Sequence, residues 1–161
     1  MSKEIRLDEI SDVFEQVLQS GGEVAFVTSG TSMFPMLRNR KDKVFLVRLD
    51  RKLKKNDVPL VRMKDSGQFI LHRVIGKNSD GYILRGDNRW ENEYGITQED
   101  VIAVVRSFER DGKKIKCSSL KYKLYCLLLP VIRNGRKYFF KCTDKLFAIR
   151  AKLLKKNHTK K

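Results

Sequence analysis

Apolar residues recur along this chain with two different periods. Ile10, Val13, Phe14, Val17 and Leu18 fall three and four positions apart, the spacing of one helical face, and Gly21-Gly22 ends the pattern. From Glu23 onward, short runs rich in β-branched and aromatic residues take over: 23–29 (EVAFVTS), 43–48 (KVFLVR), 57–63 (DVPLVRM), 68–75 (QFILHRVI), 81–85 (GYILR) and 100–108 (DVIAVVRSF). Turn signals stand between or after them at Asp65-Ser66-Gly67, Asn78-Ser79-Asp80-Gly81 and Asp111-Gly112. Pro59 assigns its strand to an edge or a bulge, because proline cannot donate to a ladder. One helix followed by six or seven short strands predicts a mostly β chain. Its expected core is a small antiparallel, barrel-like domain over residues 23–117, preceded by an N-terminal helix within 1–22.

Beyond Ser119 the helical period returns. Phe139, Cys142, Leu146, Ile149 and Leu153 make one stripe with lysines interleaved, and Arg133-Asn134-Gly135-Arg136 divides the region into two helices. Residues 118–161 are thus expected to form a basic helical extension. Charge supports a separate identity for it. Of the formal net charge of +16, residues 1–119 contribute 22 Lys/Arg against 18 Asp/Glu, whereas 120–161 contribute 13 against the single Asp144. A mixed-charge body with a basic appendage fits this better than a nucleic-acid binder, whose basic surface would spread over the folded domain.

With 161 residues the chain can bury one sizeable core, and its 41% hydrophobic content excludes a disordered chain. The longest apolar run, Leu124 to Ile132, is interrupted by Pro130 and is too short to span a bilayer. The first residues lack the apolar segment of a secretory signal, so the chain is expected in the cytoplasm, free or held peripherally on a membrane surface. Cys117, Cys126 and Cys142 match no zinc spacing; they are read as thiols without assigned chemistry, and no metal or cofactor is expected.

Three segments stand out for residue type. Gly30-Thr31-Ser32-Met33-Phe34-Pro35 leaves a strand on a turn, where a serine hydroxyl can be exposed and turn amides, those of Gly30 and Ser32, can converge on an oxyanion. Met33 and Pro35 are read as shaping this turn and the surface that meets substrate. In Leu71-His72-Arg73-Val74, strand alternation puts His72 on one face with Ile70 and Val74, desolvated and suited to act as a general base. In Gly86-Asp87-Asn88-Arg89-Trp90-Glu91-Asn92-Glu93, a loop after a strand, Asp87, Glu91 or Glu93 could orient an imidazole. Each segment alone has an ordinary structural explanation: a Gly/Ser turn, a core histidine, a turn aspartate. Together, in the order Ser…His…acid within one small β domain, they supply a nucleophile, a base and an orienter.

The combination carries a resemblance. GTSMFPML resembles the Gly-x-Ser-Met-x-Pro box of the signal peptidase I and LexA-type serine peptidases. Lys41-Asp42-Lys43-Val44 and Leu53-Lys54-Lys55-Asn56-Asp57-Val58 resemble that family's paired Gly-Asp strand boxes, with Lys41 and Asn56 where the family has glycine. His72-Arg73-Val74-Ile75, Gly86-Asp87-Asn88 and Asp100-Val101-Ile102-Ala103-Val104-Val105 resemble its later boxes, in the same order. The likeness covers residues 22–106. It implies a serine endopeptidase of the branch that uses histidine, as in the endoplasmic-reticulum and archaeal enzymes, where other members use lysine. The resemblance makes Ser32 the nucleophile, His72 the base, and Asp87 first or Glu93 second the acidic member. Its implied substrate is a peptide or protein, such as the leader segment of a precursor peptide or, less favoured for want of a helix-turn-helix segment, its own chain as in LexA; cleavage of exported preproteins is not expected. From other classes, the alternatives are a peptide-binding protein on the same scaffold, or a binding module whose basic segment 120–161 contacts an anionic membrane surface, an acidic partner or nucleic acid. Nucleic acid is the least expected of these, since no recognition motif accompanies the charge.

Overall fold

The computed structural model describes residues 11–135. Helix α1 (Ser11–Gln19) buries Phe14 and Leu18, with Val17 half-buried, while Val13 faces solvent. The buried stripe is therefore narrower than the apolar spacing predicts, and Ile10 lies outside the described residues. The helix ends in a Schellman motif. The Gly21 N–H donates to the Leu18 carbonyl and the Gly22 N–H to the Val17 carbonyl, with Gly21 at φ 78°, a left-handed conformation that glycine adopts without penalty.

Nine strands follow among the described residues, in two antiparallel sheets. The larger holds β1 (Glu23–Val27), β2 (Lys43–Val47), β3 (Pro59–Arg62), β4 (Phe69–Leu71), β8 (Val101–Arg110) and β9 (Lys113–Lys116). Its order is β1-β2-β8-β3-β4, and β9 pairs with β8 beyond the end of β3. The smaller sheet has the order β5 (Arg73–Asn78), β6 (Gly81–Arg85), β7 (Glu93–Ile96). The inward positions of β2 (Val44, Leu46) and β6 (Tyr82, Leu84) alternate with half-buried ones, the pattern of sheets covered on one face. Val61 of the larger sheet packs with Val74, Tyr82, Leu84 and Ile96 of the smaller, so one apolar cluster joins the two.

The mostly β, antiparallel character matches the sequence pattern, but the sheets do not close on themselves: β1 and β4 end one, β5 and β7 the other. Pro59 does not mark an edge. It is the first residue of β3, where a missing N–H is tolerated, and the ladder to β8 shifts register one residue on, between Leu60 and Val61. The run 68–75, one strand by periodicity, is broken: β4 stays in the larger sheet, β5 starts the smaller one, and His72 stands at the crossing.

Helix α2 covers 120–135, continuing through Pro130 and past Arg133. The chain divides into two compact units, Met1–Lys123 and Leu124–Lys161. Tyr122, the last apolar residue of the first unit, is buried. The predicted stripe from Phe139 to Leu153, with Cys142, lies outside the described residues. No helix among those described is long and apolar enough to cross a membrane.

Candidate active site

The turn carrying Ser32 is tied down on three sides. Its entry is fixed by Gly30, at φ 90°, whose N–H donates to Asn39 Oδ1 at 2.8 Å. Within it, the Phe34 N–H donates to the Thr31 carbonyl and the Leu37 N–H to the Met33 carbonyl, and the Phe34–Pro35 peptide is cis. From behind, Arg110 Nη2 donates to the Pro35 and Met36 carbonyls at 2.6 and 2.8 Å. The same Arg110 and Arg38 converge on Asp42, which has no solvent exposure. Burial pushes the Asp42 carboxyl up, but hydrogen bonds from the Arg38 side chain and backbone and from Arg110 outweigh it and hold the group below the usual carboxylate range.

The third restraint is the loop after β6. The Asn88 N–H donates to the Ser32 carbonyl at 2.8 Å, and Asn88 Nδ2 to the Thr31 carbonyl at 3.1 Å. Gly86 makes this approach possible. A Cβ at Gly86 would stand 2.7 Å from the Ser32 carbonyl oxygen and 3.2 Å from His72 Nε2. The serine backbone and the imidazole thus lie against the same face of one glycine.

His72 is 6% exposed. Its Nδ1 is 3.0 Å from Glu93 Oε1, and among the described residues neither Nδ1 nor Glu93 Oε2 has a hydrogen-bond partner. A small rotation of either side chain would make the bond, so the pair is close enough to act as imidazole and orienting carboxylate. Glu93 opens β7, a strand absent from the sequence-based expectation. Short and polar, with a glycine inside (EYGI), it lacks the apolar alternation that marks β6.

Asp87 sits differently. Its two carboxylate oxygens accept from Arg73 Nε and Nη2 at 2.7 Å each, in a pair buried on both sides. Arg73 also donates from Nη1 to the Tyr122 hydroxyl at 2.6 Å and to the Asn56 carbonyl at 3.1 Å. Asn56, standing where the resembled family has glycine, has φ 74°. Asparagine tolerates this left-handed conformation better than most residues. Lys41 at the other such position is not left-handed; its neighbour Arg40 is, at φ 54°.

The remaining sequence candidates divide similarly. The Gly30 amide, expected to face an oxyanion, is already engaged by Asn39, whereas neither the N–H nor the hydroxyl of Ser32 has a hydrogen-bond partner among the described residues. Met33 is buried and Pro35 half-buried, while Thr31 and Phe34 of this turn are exposed. Glu91 is exposed. A groove of about 520 Å³ near Phe14, Leu60, Met63 and Phe69 lies apart from Ser32 and includes none of these residues. No group of three or more His, Cys, Asp or Glu able to hold a metal occurs among the described residues.

Sequence reading missed the supporting residues Asn88, Arg73, Tyr122 and Arg110. The first two stand inside the motifs already singled out; Arg110 and Tyr122 act across long sequence distances and leave no local signal. No protein-family model matches the chain, and a search of curated proteins finds no match.

Proposed function

We propose that this chain is a serine endopeptidase similar to signal peptidase I and LexA-type enzymes, with Ser32 as nucleophile, His72 as general base and Glu93 as the residue that orients the imidazole. The observation that carries the reading is the convergence at Gly86: the Ser32 backbone and His72 Nε2 meet one glycine, and a carboxylate stands at the imidazole's other nitrogen. Asp87, the first choice on motif grounds, serves in this reading to hold Arg73 and the 86–88 loop.

The chemistry follows from these positions. Ser32 Oγ attacks a peptide carbonyl while His72 Nε2 takes the hydroxyl proton, and Glu93 stabilises the imidazolium through Nδ1–H. The unengaged Ser32 N–H is the nearest donor for the oxyanion. His72 returns the proton to the leaving amine, and water, deprotonated by the same imidazole, hydrolyses the acyl-enzyme. An extended peptide has a template at hand. Strand β4 is an edge of the larger sheet and ends at Leu71, beside His72, so backbone pairing along β4 would deliver a carbonyl towards Ser32.

Incubation with a peptide library, followed by mass analysis, tests the reading. Cleavage products are expected with the wild-type chain and none with Ser32→Ala or His72→Ala. Products that persist in both variants would refute it. Peptides captured intact and equally by all three proteins would assign the scaffold to binding without cleavage.

A further inference from the structure

Helix α2 is apolar on two opposite sides. Tyr122, Cys126 and Leu129 make a buried stripe. On the other side Leu120, Leu124, Leu127, Leu128 and Val131 form a second row, between 45% and 83% exposed. At 3.6 residues per turn these five fall within an arc of about 100° over roughly three turns. A helix apolar all round is ordinarily covered all round, and a continuous row of exposed leucines exceeds what a monomeric surface leaves in water.

The charge around this row identifies what covers it. Exposed Lys121 and Lys123 flank the stripe on its two sides, where their stems can lie along apolar surface while the ammonium groups reach outward. No acidic residue occurs in 120–135, and Asp144 is the only one among residues 120–161, against 13 Lys/Arg. A second copy of the chain would bring two such cationic segments face to face, a repulsive arrangement. An anionic surface with an apolar layer beneath it matches both features. The row is about 16 Å long by helical rise, too short to cross a bilayer but suited to lying in its interface.

We propose that the outer face of α2 docks on the surface of an anionic lipid bilayer, with Leu124, Leu127, Leu128 and Val131 entering the interface and the flanking lysines meeting the headgroups. This attachment is independent of the peptidase chemistry.

Flotation of the full chain with vesicles tests it. Binding to phosphatidylglycerol–phosphatidylcholine vesicles is expected, weaker by at least about tenfold on pure phosphatidylcholine, and reduced by raised salt. The double variant Leu127→Glu/Val131→Glu should lose at least about tenfold in affinity, since burying two carboxylates replaces burying two aliphatic side chains. Both positions are solvent-facing, so thermal unfolding should be unchanged; Leu124→Gln/Leu128→Gln provides a second, milder pair with the same expected direction. Failure of the wild type to float with anionic vesicles would overturn the proposal. So would retention of full binding by both double variants, which would reduce the effect to charge alone. A wild-type dimer in light scattering that dissociates in these variants would overturn it in favour of self-association.

Discussion

At Gly86 a single hydrogen leaves the space in which Ser32 and His72 approach each other. Substituting alanine would set a methyl carbon 2.7 Å from the Ser32 carbonyl oxygen and 2.9 Å from Arg89 Cγ, inside van der Waals contact on the backbone side. Gly86→Ala is therefore expected to cut the cleavage rate by about a hundredfold or more, since displacing reacting groups by an ångström has that scale of effect; kinetics on any substrate found would measure it. The two acidic candidates separate by a paired experiment. Glu93→Gln removes the charge beside His72 from a half-buried position and is expected to lower kcat/KM by roughly a hundredfold or more while leaving thermal stability nearly unchanged. Asp87→Asn breaks a buried bidentate ion pair and is expected to destabilise the fold by about 3–5 kcal/mol. An inactive but stable Asp87→Asn, beside an active Glu93→Gln, would invert the assignment. Ser32, His72, Asp87 and Glu93 were all legible in the sequence by residue type and order. Which carboxylate stands beside the imidazole was not, because it depends on β7 bringing Glu93 to His72, and nothing in the pattern of EYGI announces a strand.

Two elements shape the site most. The first is the break between β4 and β5. Periodicity reads QFILHRVI as one strand because Ile70, His72 and Val74 alternate correctly; the change of sheet is imposed by packing, with Asn56 and Asp57 bonding the Val74 carbonyl and N–H. Local sequence carries no trace of that long-range pairing. The same holds for β9, whose KKIK has too few apolar residues to register and which is found only as the return of the Asp111-Gly112 turn onto β8. The second element is the Ser32 turn, braced by Arg110 and Asp42. The Asp42 carboxyl is held below its unfolded range, so it contributes stability that is fully present above about pH 4, the ordinary aspartate pKa, and is lost as pH falls through its folded value. Asp42→Asn is expected to lower stability at neutral pH by about 1–3 kcal/mol, with the gap to wild type narrowing as the pH is lowered below about 4. Thermal unfolding across that pH range checks both the loss and its sign.

For the whole molecule, the charge asymmetry is the feature that sequence alone described most fully. A nearly balanced body and a cationic C-terminal segment could be counted residue by residue. Tyr122 belongs to a helical stretch by pattern, and its bond to Arg73 and its packing with Phe108 were not legible in the sequence. Through Arg73 and Asp87 it joins the start of α2 to the loop that holds Ser32. Apolar content marked the runs that hold β1 to β6 and β8, but not that two sheets would remain open around an apolar cluster, which follows from how Val61, Val74 and Leu84 meet in space.

The central claim is that Ser32 is a nucleophile activated by His72. Intact-mass analysis after reaction with a small fluorophosphonate addresses it without a known substrate. One adduct, mapped to Ser32, is expected on the wild-type chain, strongly slowed in His72→Ala and absent in Ser32→Ala. A wild-type chain that stays unlabelled, or one labelled as fast in His72→Ala as in wild type, would contradict the account.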